Sequence, residues 1–463
     1  MDINPKIFKA YDIRGIYPTN INESVMAEIA KAIYTFFQSK LNKNNFIVAL
    51  GRDMRLSSPS LHKVTKKTLL AAGANVVDLG LVSTPTFYFA VSHYGYDTGI
   101  QITASHNPKE YGGLKFVLNT PNGLLKIGKP TGMDQVKDLA TKGVTIDTSK
   151  PGQLTENHQA LSDEVENALK LFKNLQIKPL TVVADPANGM GGEYISALVA
   201  KLPIKLVKMN FDLDGSFPVH QPDPMQPKNL VDLQKKVVAE KADLGLAPDG
   251  DGDRLFIINE KGEVVSPSLI IGILAKELLT QFPKSKVVVD LKYTFTPKKI
   301  VEENGGELII SKTGHAYITE ALTKTGAVFG GEASAHYYYR FTGNAESQVI
   351  TIIGLLKMLS EKGKSLSVVA EEFRRSFESG EINFETENTA QILEMLKKDY
   401  KDGELSTLDG VSFTYPDWRF NVRTSNTEPL LRLNIEAYSQ SDIAKRVQEL
   451  KSKILASGAK LKE

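Results

Sequence analysis

Short apolar runs rich in β-branched residues alternate with amphipathic stretches along most of this 463-residue chain. The apolar runs lack polar alternation, as expected for strands that are covered on both faces. Strand–helix alternation of this kind builds α/β units with parallel or mixed sheets. Representative runs are Phe46–Leu50, Asn75–Gly80, Leu180–Asp185 and Lys286–Leu291, and stretches with helical periodicity are Ser24–Leu41, Ser58–Ala72 and Ser268–Leu279.

The alternating pattern recurs three times and then changes. Polar or glycine-containing joints lie at Thr145–Asn157, Asn259–Glu263 and Glu361–Ser367. Beyond the last joint, Thr414–Ala437 has the pattern of strand, loop and strand, and Ser441–Leu455 that of a helix. We therefore predict three similar α/β domains with mixed sheets and a smaller C-terminal α+β domain. The predicted boundaries are residues 1–150, 151–257, 258–368 and 369–463.

Charge and cysteine content limit the possible partners and chemistry. Lys and Arg number 56 against 54 Asp and Glu, so the net charge is +2 and favours neither a nucleic-acid nor a membrane partner. The absence of cysteine excludes disulfides, thiolate nucleophiles and Cys-ligated metals. The N-terminal residues lack a secretory signal pattern, and no apolar stretch reaches the ~20 residues of a membrane span. We expect a cytoplasmic protein.

The strongest local motif is Ala247–Arg254, in which Asp249, Asp251 and Asp253 alternate with glycines. Carboxylate oxygens are the hard ligands that Mg²⁺ prefers, and glycines allow a tight loop to direct several of them at one ion. A solvated acidic turn is the alternative interpretation. A calcium-binding EF-hand loop fits poorly, because its sixth position requires glycine and is Arg254 here.

A second motif, Thr103–Pro108, follows an apolar run and contains Ser105 and His106. Ser105 is a candidate nucleophile with His106 as its local base, although an ordinary turn would have the same composition. The segment Arg423–Arg432 concentrates hydrogen-bond donors suited to a phosphate, or forms a simple polar loop. Gly330–His336 holds acceptors for sugar hydroxyls. Together these motifs indicate phosphoryl transfer.

In composition and order, the motifs resemble those of the α-D-phosphohexomutase superfamily, and most of all its bacterial phosphomannomutase/phosphoglucomutase members. The resemblance extends from Lys9–Gly15 to Arg423–Pro429, which is nearly the whole chain. It implies four domains around a central cleft and interconversion of the 1- and 6-phosphates of mannose or glucose. A phosphorylated Ser105 and a hexose 1,6-bisphosphate would carry the phosphoryl group. Other matching segments are Tyr111–Phe116, Asp185–Gly192, Leu213–Pro224 and Lys312–Ile318.

The resemblance also implies roles for individual residues, including a proton-shuttling Lys115 and an Arg254 that faces the phosphoserine. With the candidates above, the predicted catalytic residues are Ser105, His106, Lys115, Arg14, Arg254 and His315, the Mg²⁺ ligands are Ser105, Asp249, Asp251 and Asp253, and the substrate-binding residues are Tyr11, Glu332, Ser334, His336, Arg423, Ser425, Asn426, Thr427 and Arg432. The expected small-molecule partners are sugar phosphates, with hexose 1,6-bisphosphate as activator, and the expected assembly is a monomer or weak homodimer.

Three segments depart from the family pattern: Ala333 where Met is commoner, Asn344–Ser347, and Val265–Ile270. None of them removes a predicted catalytic group, but they leave the sugar preference open. The alternatives are a phosphoglucosamine mutase, a non-catalytic sugar-phosphate-binding relative and a metal-dependent phosphatase.

Overall fold

The computed structural model of the chain describes residues 3–147, 149–424 and 430–462. These residues form two compact units, and each unit is discontinuous in sequence. The first unit extends to Ser266 and also includes Ser334–Val369, and the second comprises Pro267–Ala333 and the chain from Ala370 onward. None of the helices in the described ranges combines the length with the low polarity that a bilayer span requires.

The first sheet of the first unit is mixed. In chain order its region contains β1 (Ile13–Ile16), α1 (Glu23–Leu41), β2 (Ile47–Arg52), α2 (Ser58–Ala71), β3 (Asn75–Leu81), α3 (Thr84–His93), β4 (Thr98–Ile102), β5 (Tyr111–Thr120), β6 (Gly123–Lys126), α4 (Met133–Lys142) and β7 (Leu154–Glu156). The strand order is β1-β5-β4-β2-β3-β7, with β6 beside β5. Pairing is parallel among β4, β2, β3 and β7, and antiparallel where β5 meets β1, β4 and β6.

Strand β2 shows why its sequence is apolar throughout. Val48 and Leu50 pack into a core with Phe37 of α1 and Leu61 of α2. Ala49 points to the opposite face, where Phe87 of α3 covers the sheet. Because both faces of the strand are buried, neither set of alternate residues can be polar.

A second sheet in the same unit contains the hairpin whose connection holds Asp249, Asp251 and Asp253. Its region contains α5 (Ala160–Leu171), β8 (Leu180–Ala184), α6 (Gly191–Val199), β9 (Ile204–Lys208), α7 (Val231–Ala239), β10 (Leu244–Pro248), β11 (Leu255–Asn259) and β12 (Val264–Val265). The order is β12-β11-β10-β8-β9, parallel across β10, β8 and β9 and antiparallel across β10, β11 and β12. Pro248 pairs with Leu255, so residues 249–254 form the connection between β10 and β11.

The chain then enters the second unit and later returns to the first. The second unit has α8 (Pro267–Gln281), β13 (Lys286–Asp290), α9 (Phe295–Glu303), β14 (Glu307–Ser311), α10 (His315–Thr325) and β15 (Phe329–Gly331), with β13 paired in parallel to both β14 and β15. The returning segment contributes the hairpin β16 (Tyr337–Tyr339) and β17 (Ala345–Glu346), then α11 (Gln348–Lys362), and α12 (Leu366–Phe373) follows. Helix α11 is buried from Gln348 to Ser360.

The C-terminal region of the second unit is an antiparallel sheet with two helices. Its elements are β18 (Phe377–Glu378), β19 (Ile382–Glu385), α13 (Thr389–Asp399), β20 (Glu404–Ser406), β21 (Val411–Thr414), β22 (Trp418–Thr424), β23 (Leu430–Ala437), α14 (Gln440–Ala456) and β24 (Lys460–Leu461). The order is β20-β21-β22-β23-β19-β24, with β18 beside β23. Short 3₁₀ helices lie at Pro5–Ile7, Lys129–Thr131, Pro227–Asn229 and Arg340–Thr342.

The predicted fold class is confirmed. The α/β regions have parallel or mixed sheets, and the last region is α+β, with strands β22 and β23 within the predicted Thr414–Ala437 and helix α14 over the predicted Ser441–Leu455. The domain boundaries after residues 150, 257 and 368 stay predictions.

Candidate active site

The loop after β4 holds Ser105 buried and in an unusual backbone conformation. Its φ is 51°, in the left-handed region that residues other than glycine rarely adopt. The Ser105 amide donates a hydrogen bond to Thr103 Oγ1 at 2.9 Å. The Ser105 hydroxyl donates to Asp249 Oδ2 at 3.2 Å and lies 3.2 Å from His106 Nδ1. The loop therefore brings the predicted nucleophile into contact with the predicted metal loop and with its predicted base.

The connection between β10 and β11 gathers Asp249, Asp251 and Asp253. All three are buried, and one carboxylate oxygen from each lies within 4.8 Å of the others. A Cβ on Gly250 would lie 2.5 Å from the Ser105 carbonyl oxygen, so only glycine allows the two loops to approach this closely. Gly250 is therefore required by the contact between the two loops and not only by the turn.

Lys115 neutralises part of this acidic cluster. It lies on β5, and its Nζ is 2.7 Å from Asp251 Oδ2 and 2.5 Å from Asp253 Oδ2. Burial alone would lower the pKa of Lys115, but the two carboxylates outweigh burial and raise this pKa well above its ordinary value. Thr84 also donates a hydrogen bond to Asp251 Oδ2, at 2.6 Å. Lys115 is therefore held as a cation inside the site.

The acidic cluster fits a divalent cation. The three carboxylates outnumber the one ammonium, Lys115, that pairs directly with two of them. Oδ1 of Asp251 is buried and has no hydrogen-bond partner among the described residues. Burial and the neighbouring Asp253 and Asp251 raise the pKa of Asp249 well above its ordinary value, so these charges lack full compensation. Hard oxygen ligands with this excess charge suit Mg²⁺.

Two arginines surround the Ser105 loop. Arg14 on β1 donates to Asn107 Oδ1 at 2.6 Å and forms a 2.6 Å ion pair with Asp12. Arg254 Nε lies 3.9 Å from Asp249 Oδ2, the same oxygen that accepts the Ser105 hydroxyl hydrogen. Burial, followed by these two cations, lowers the pKa of His106 well below its ordinary value, so its imidazole is neutral near pH 7.

The predicted sugar-binding motif, Gly330–His336, has residues in each of the two units. Ser334 and His336 belong to the first unit, where Ser334 Oγ lies 2.9 Å from His336 Nδ1. His336 Nε2 in turn lies 3.3 Å from Asp253 Oδ1. Glu332 belongs to the second unit, where it accepts a hydrogen bond from the Gly314 amide at 2.7 Å. The bond places Glu332 beside the start of α10, whose first residue is the predicted His315.

A cationic cluster in the second unit contains two more predicted residues. Arg423 and Arg432 lie opposite each other on β22 and β23, and both pair with Glu381, at 3.0 and 3.3 Å. Burial would raise the pKa of Glu381, but Lys292, Arg432 and Arg423 lower it. Nε of Arg423 is buried without a hydrogen-bond partner in the described part of the chain. Such a cluster attracts an anion.

Three other predicted residues, Ser425, Asn426 and Thr427, lie outside the described residues. Tyr11 is half-buried, and its ring lies next to Gly128 of the first unit.

Sequence analysis missed three charged residues that the structure places in or beside these clusters: Arg55, Lys292 and Glu381. Lys292 is buried, with its Nζ 3.5 Å from Asp290 Oδ2 just after β13. The charged pair that follows a buried strand was a usable signal, because the carboxyl ends of parallel strands commonly carry binding residues. Glu381 had no comparable signal, since it lies in an ordinary polar stretch.

The chain matches four domains of one protein family, which together cover most of residues 5–453. The α/β/α domains I, II and III of phosphoglucomutase/phosphomannomutase match residues 5–139, 160–262 and 266–377. The C-terminal domain of the same proteins matches residues 381–453.

Individual relatives give the same result. A phosphomannomutase of Vibrio cholerae is 35% identical over 455 residues, covering 96% of this chain and 97% of the relative. A protein of Xanthomonas campestris named as a phosphohexose mutase is 36% identical over 450 residues, covering 96% and 98%. The crystal structure of a phosphoglucomutase/phosphomannomutase family protein of Burkholderia thailandensis is 31% identical, with a TM-score of 0.88 and 99% coverage of both chains.

Proposed function

The chain belongs to the phosphoglucomutase/phosphomannomutase family, and we propose that it is a phosphohexose mutase that interconverts the 1- and 6-phosphates of mannose or glucose. The observation that carries this proposal is the contact between Ser105 Oγ and Asp249 Oδ2 at 3.2 Å, beside a buried acidic cluster. A nucleophile beside such a cluster suits phosphoryl transfer, and the sequence around Ser105 is not the GxSxG pattern of the α/β-hydrolases.

Ser105 is the proposed phosphoryl carrier. In the first half-reaction, the bond between phosphorus and Ser105 Oγ breaks and a bond between phosphorus and sugar O6 forms. The O6 hydroxyl loses its proton as the new bond forms and Ser105 Oγ gains one, so the net proton transfer is from O6 to Ser105 Oγ. The resulting hexose 1,6-bisphosphate then returns its other phosphoryl group to Ser105 by the reverse chemistry. The neutral His106, 3.2 Å from Ser105 Oγ, is placed to hold the proton at that atom.

Charge compensation is the second task of the site. Lys115, held as a cation by Asp251 and Asp253, keeps a positive charge near the transferred group. A Mg²⁺ ion bound by Asp249, Asp251 and Asp253 would neutralise charge on the phosphoryl group in flight. We propose these three carboxylates, with the Ser105 phosphate, as its ligands.

Substrate binding is assigned to four of the predicted residues, two arginines for the phosphate and two residues for the sugar hydroxyls. Arg423 and Arg432 would bind the phosphate that is not transferred, and the buried Arg423 Nε supports an anionic ligand there. Glu332 and Ser334 would bind sugar hydroxyls. Fixing the phosphate locates the sugar, so positioning supplies much of the rate.

The test is a mutase assay with hexose 1-phosphates, Mg²⁺ and a trace of glucose 1,6-bisphosphate. The wild-type protein should form the 6-phosphates, carry the mass of one phosphoryl group on Ser105, and lose turnover when EDTA removes the metal. Ser105→Ala should lower kcat by on the order of 10³-fold or more and lose the added mass. Ser360→Ala is the control, because the buried Ser360 hydroxyl on α11 bonds to Leu356 O and Lys178 N and, within the described ranges, to no residue of the predicted site.

The same assay separates the alternatives. Faster turnover of glucosamine 1-phosphate than of the mannose and glucose compounds would indicate a phosphoglucosamine mutase. Binding without turnover would indicate a non-catalytic relative, and phosphate release faster than isomerisation would indicate a phosphatase. The expected assembly, a monomer or weak homodimer, stays a prediction that sedimentation can measure.

A further inference from the structure

Arg55 is a completely buried arginine between β2 and α2. Its neighbour Asp53 holds it in place: Asp53 Oδ1 accepts the Arg55 amide hydrogen at 3.0 Å, and Asp53 Oδ2 lies 3.3 Å from Arg55 Nε. Ser58 donates a further hydrogen bond to Asp53 Oδ1, at 2.5 Å. The ring of Phe217 lies 5.1 Å from the guanidinium and covers it. Asp53 and Phe217 therefore fix the position of the Arg55 side chain.

The guanidinium donates to four main-chain carbonyls, all of them in the Ser105 loop or where this loop enters β5. Nη2 bonds to Ser105 O at 2.5 Å and to Asn107 O at 2.6 Å. Nη1 bonds to Pro108 O at 2.9 Å and to Tyr111 O at 3.3 Å. A planar fork with several donors can reach four acceptors at once, whereas the single nitrogen of lysine cannot.

The contact with the Ser105 carbonyl explains how an unfavourable conformation persists. Ser105 has a φ of 51°, which is strained for a residue with a side chain. Its carbonyl oxygen is pressed against Gly250 on one side and bonded to Arg55 on the other. A weaker second support comes from Gln221, whose Nε2 donates to His106 O at 3.0 Å. Strained conformations of this kind persist only where the surroundings over-determine them.

We propose that Arg55 is a positioning residue for phosphoryl transfer: its buried guanidinium fixes the main chain of the Ser105 loop so that Ser105 Oγ stays beside Asp249. The inference rests on the proposed function of Ser105 and adds a residue that itself touches neither substrate nor metal. A displacement of the nucleophile by about 1 Å is enough to lower a rate by ~10²-fold.

The test compares Arg55→Met and Arg55→Lys with wild type. Both variants should lower kcat by about 100-fold per phosphorylated molecule, while KM for the hexose 1-phosphate changes by less than about threefold. Lysine should not restore the rate, because the loop is held by the several N–H donors of the planar guanidinium and not by its positive charge alone. The phosphorylated fraction, measured by intact mass, normalises each rate, so a loss of folded protein does not imitate the effect.

A matched control distinguishes positioning from general destabilisation. Asp78→Asn removes a buried charge in the same sheet, where Asp78 pairs with His62 at 3.0 Å and Lys66 at 2.8 Å. It should lower the thermal midpoint and leave the normalised kcat unchanged. If the Arg55 variants do not fold, Gln221→Ala is the milder substitution, and it should lower kcat by several-fold with KM unchanged.

Hydrogen–deuterium exchange provides a readout that does not depend on activity. Peptides covering residues 103–111 should exchange faster in Arg55→Met than in wild type, and not in Asp78→Asn. Unchanged exchange in these peptides, or a normalised kcat within threefold of wild type, would overturn the role of Arg55. A wild-type protein without mutase turnover would overturn the proposed function instead, and the exchange experiment would still decide whether Arg55 holds the loop.

Discussion

At the scale of single residues, the approach of Gly250 to the Ser105 carbonyl is a strong steric constraint on the site. A Cβ at this position would lie 2.5 Å from Ser105 O and 3.0 Å from Pro222 Cγ. The first neighbour is backbone and is also held by Arg55, so it cannot move aside easily. The position therefore tolerates no side chain without a shift of the Ser105 loop.

We predict that Gly250→Ala lowers kcat by ~10²-fold and the free energy of unfolding by about 1–3 kcal/mol, as expected for overpacking at a rigid position. Gly272→Ala is the matched control. Gly272 lies inside α8, and a Cβ there would meet Ile300 at an ordinary 3.4 Å. Alanine favours a helix interior by about 0.5–1 kcal/mol, so the control should be stabilised or unchanged. Mutase rates and urea unfolding measure both, and equal behaviour of the two variants would contradict the prediction.

Residues with a local motif could be found from sequence, and residues without one could not. Ser105, Asp249, Asp251 and Asp253 stand in compact, unusual strings, and the structure brings them together. Arg55 bonds to main-chain oxygens 50 or more positions away, as in its contacts with Ser105 O at a separation of 50 and with Asn107 O at a separation of 52. Any residue type presents a carbonyl, so the sequence of the loop contains no sign of its partner.

At the scale of elements, one buried carboxylate links three helices of the first unit. Glu164 on α5 accepts hydrogen bonds from Thr86 on α3 at 2.7 Å and from Ser347, which caps α11, at 3.2 Å. No basic side chain contributes to the pKa of Glu164, and burial raises it to about 7. The joint between these helices is therefore stable with a protonated Glu164 and weakened when Glu164 ionises.

The sign of the resulting pH dependence follows from proton linkage. Between pH 4.5 and about 7 the folded state binds the Glu164 proton more tightly than the unfolded state does, so the free energy of unfolding falls as pH rises. Because burial raises the pKa of Glu164 from 4.5 to about 7, the free energy of unfolding falls by about 3 kcal/mol in total across this range. Glu164→Gln should remove this slope, so that the variant gains stability relative to wild type from pH 5 to pH 8.

Urea unfolding at several pH values measures this effect. Glu166→Gln on the same helix is the control, because Glu166 forms a surface pair with Lys201 and should leave the pH dependence of wild type in place. A constant difference between Glu164→Gln and wild type from pH 5 to pH 8 would show that Glu164 does not titrate in this window.

At the scale of the whole molecule, each compact unit is assembled from separated parts of the chain. The first unit needs Ser334–Val369, which supplies His336 and the buried helix α11. The Leu255 amide donates to Ala335 O at 3.0 Å, so the returning segment lies directly beside β11. A chain that ends at Ser266 would leave the surfaces that pack against α11 exposed to water.

We predict that a fragment of residues 1–266 lacks cooperative unfolding, and that joining Ser334–Val369 to it through a flexible Gly/Ser linker of about 15 residues restores it. Near-UV circular dichroism and urea unfolding measure the difference. A fusion that carries a scrambled Ser334–Val369 segment is the control for added length and hydrophobicity. Cooperative unfolding of the 1–266 fragment by itself would contradict the prediction.

The sequence by itself determined the class of each region and singled out the residue types that the structure gathers around Ser105. Strand and helix periodicity depend on nearest neighbours along the chain, and the DGDGD and TASHNP strings each contain their own turn residues and functional groups. Tertiary structure alone decided the partners of these residues and elements: Arg55 bonds to the Ser105 carbonyl, Lys115 lies between two aspartates, and α11, which begins at Gln348, packs in a unit whose earlier part ends at Ser266. The physical reason is that burial removes water as an alternative partner, so each charged group and each carbonyl must find a partner in space, whatever their separation in sequence.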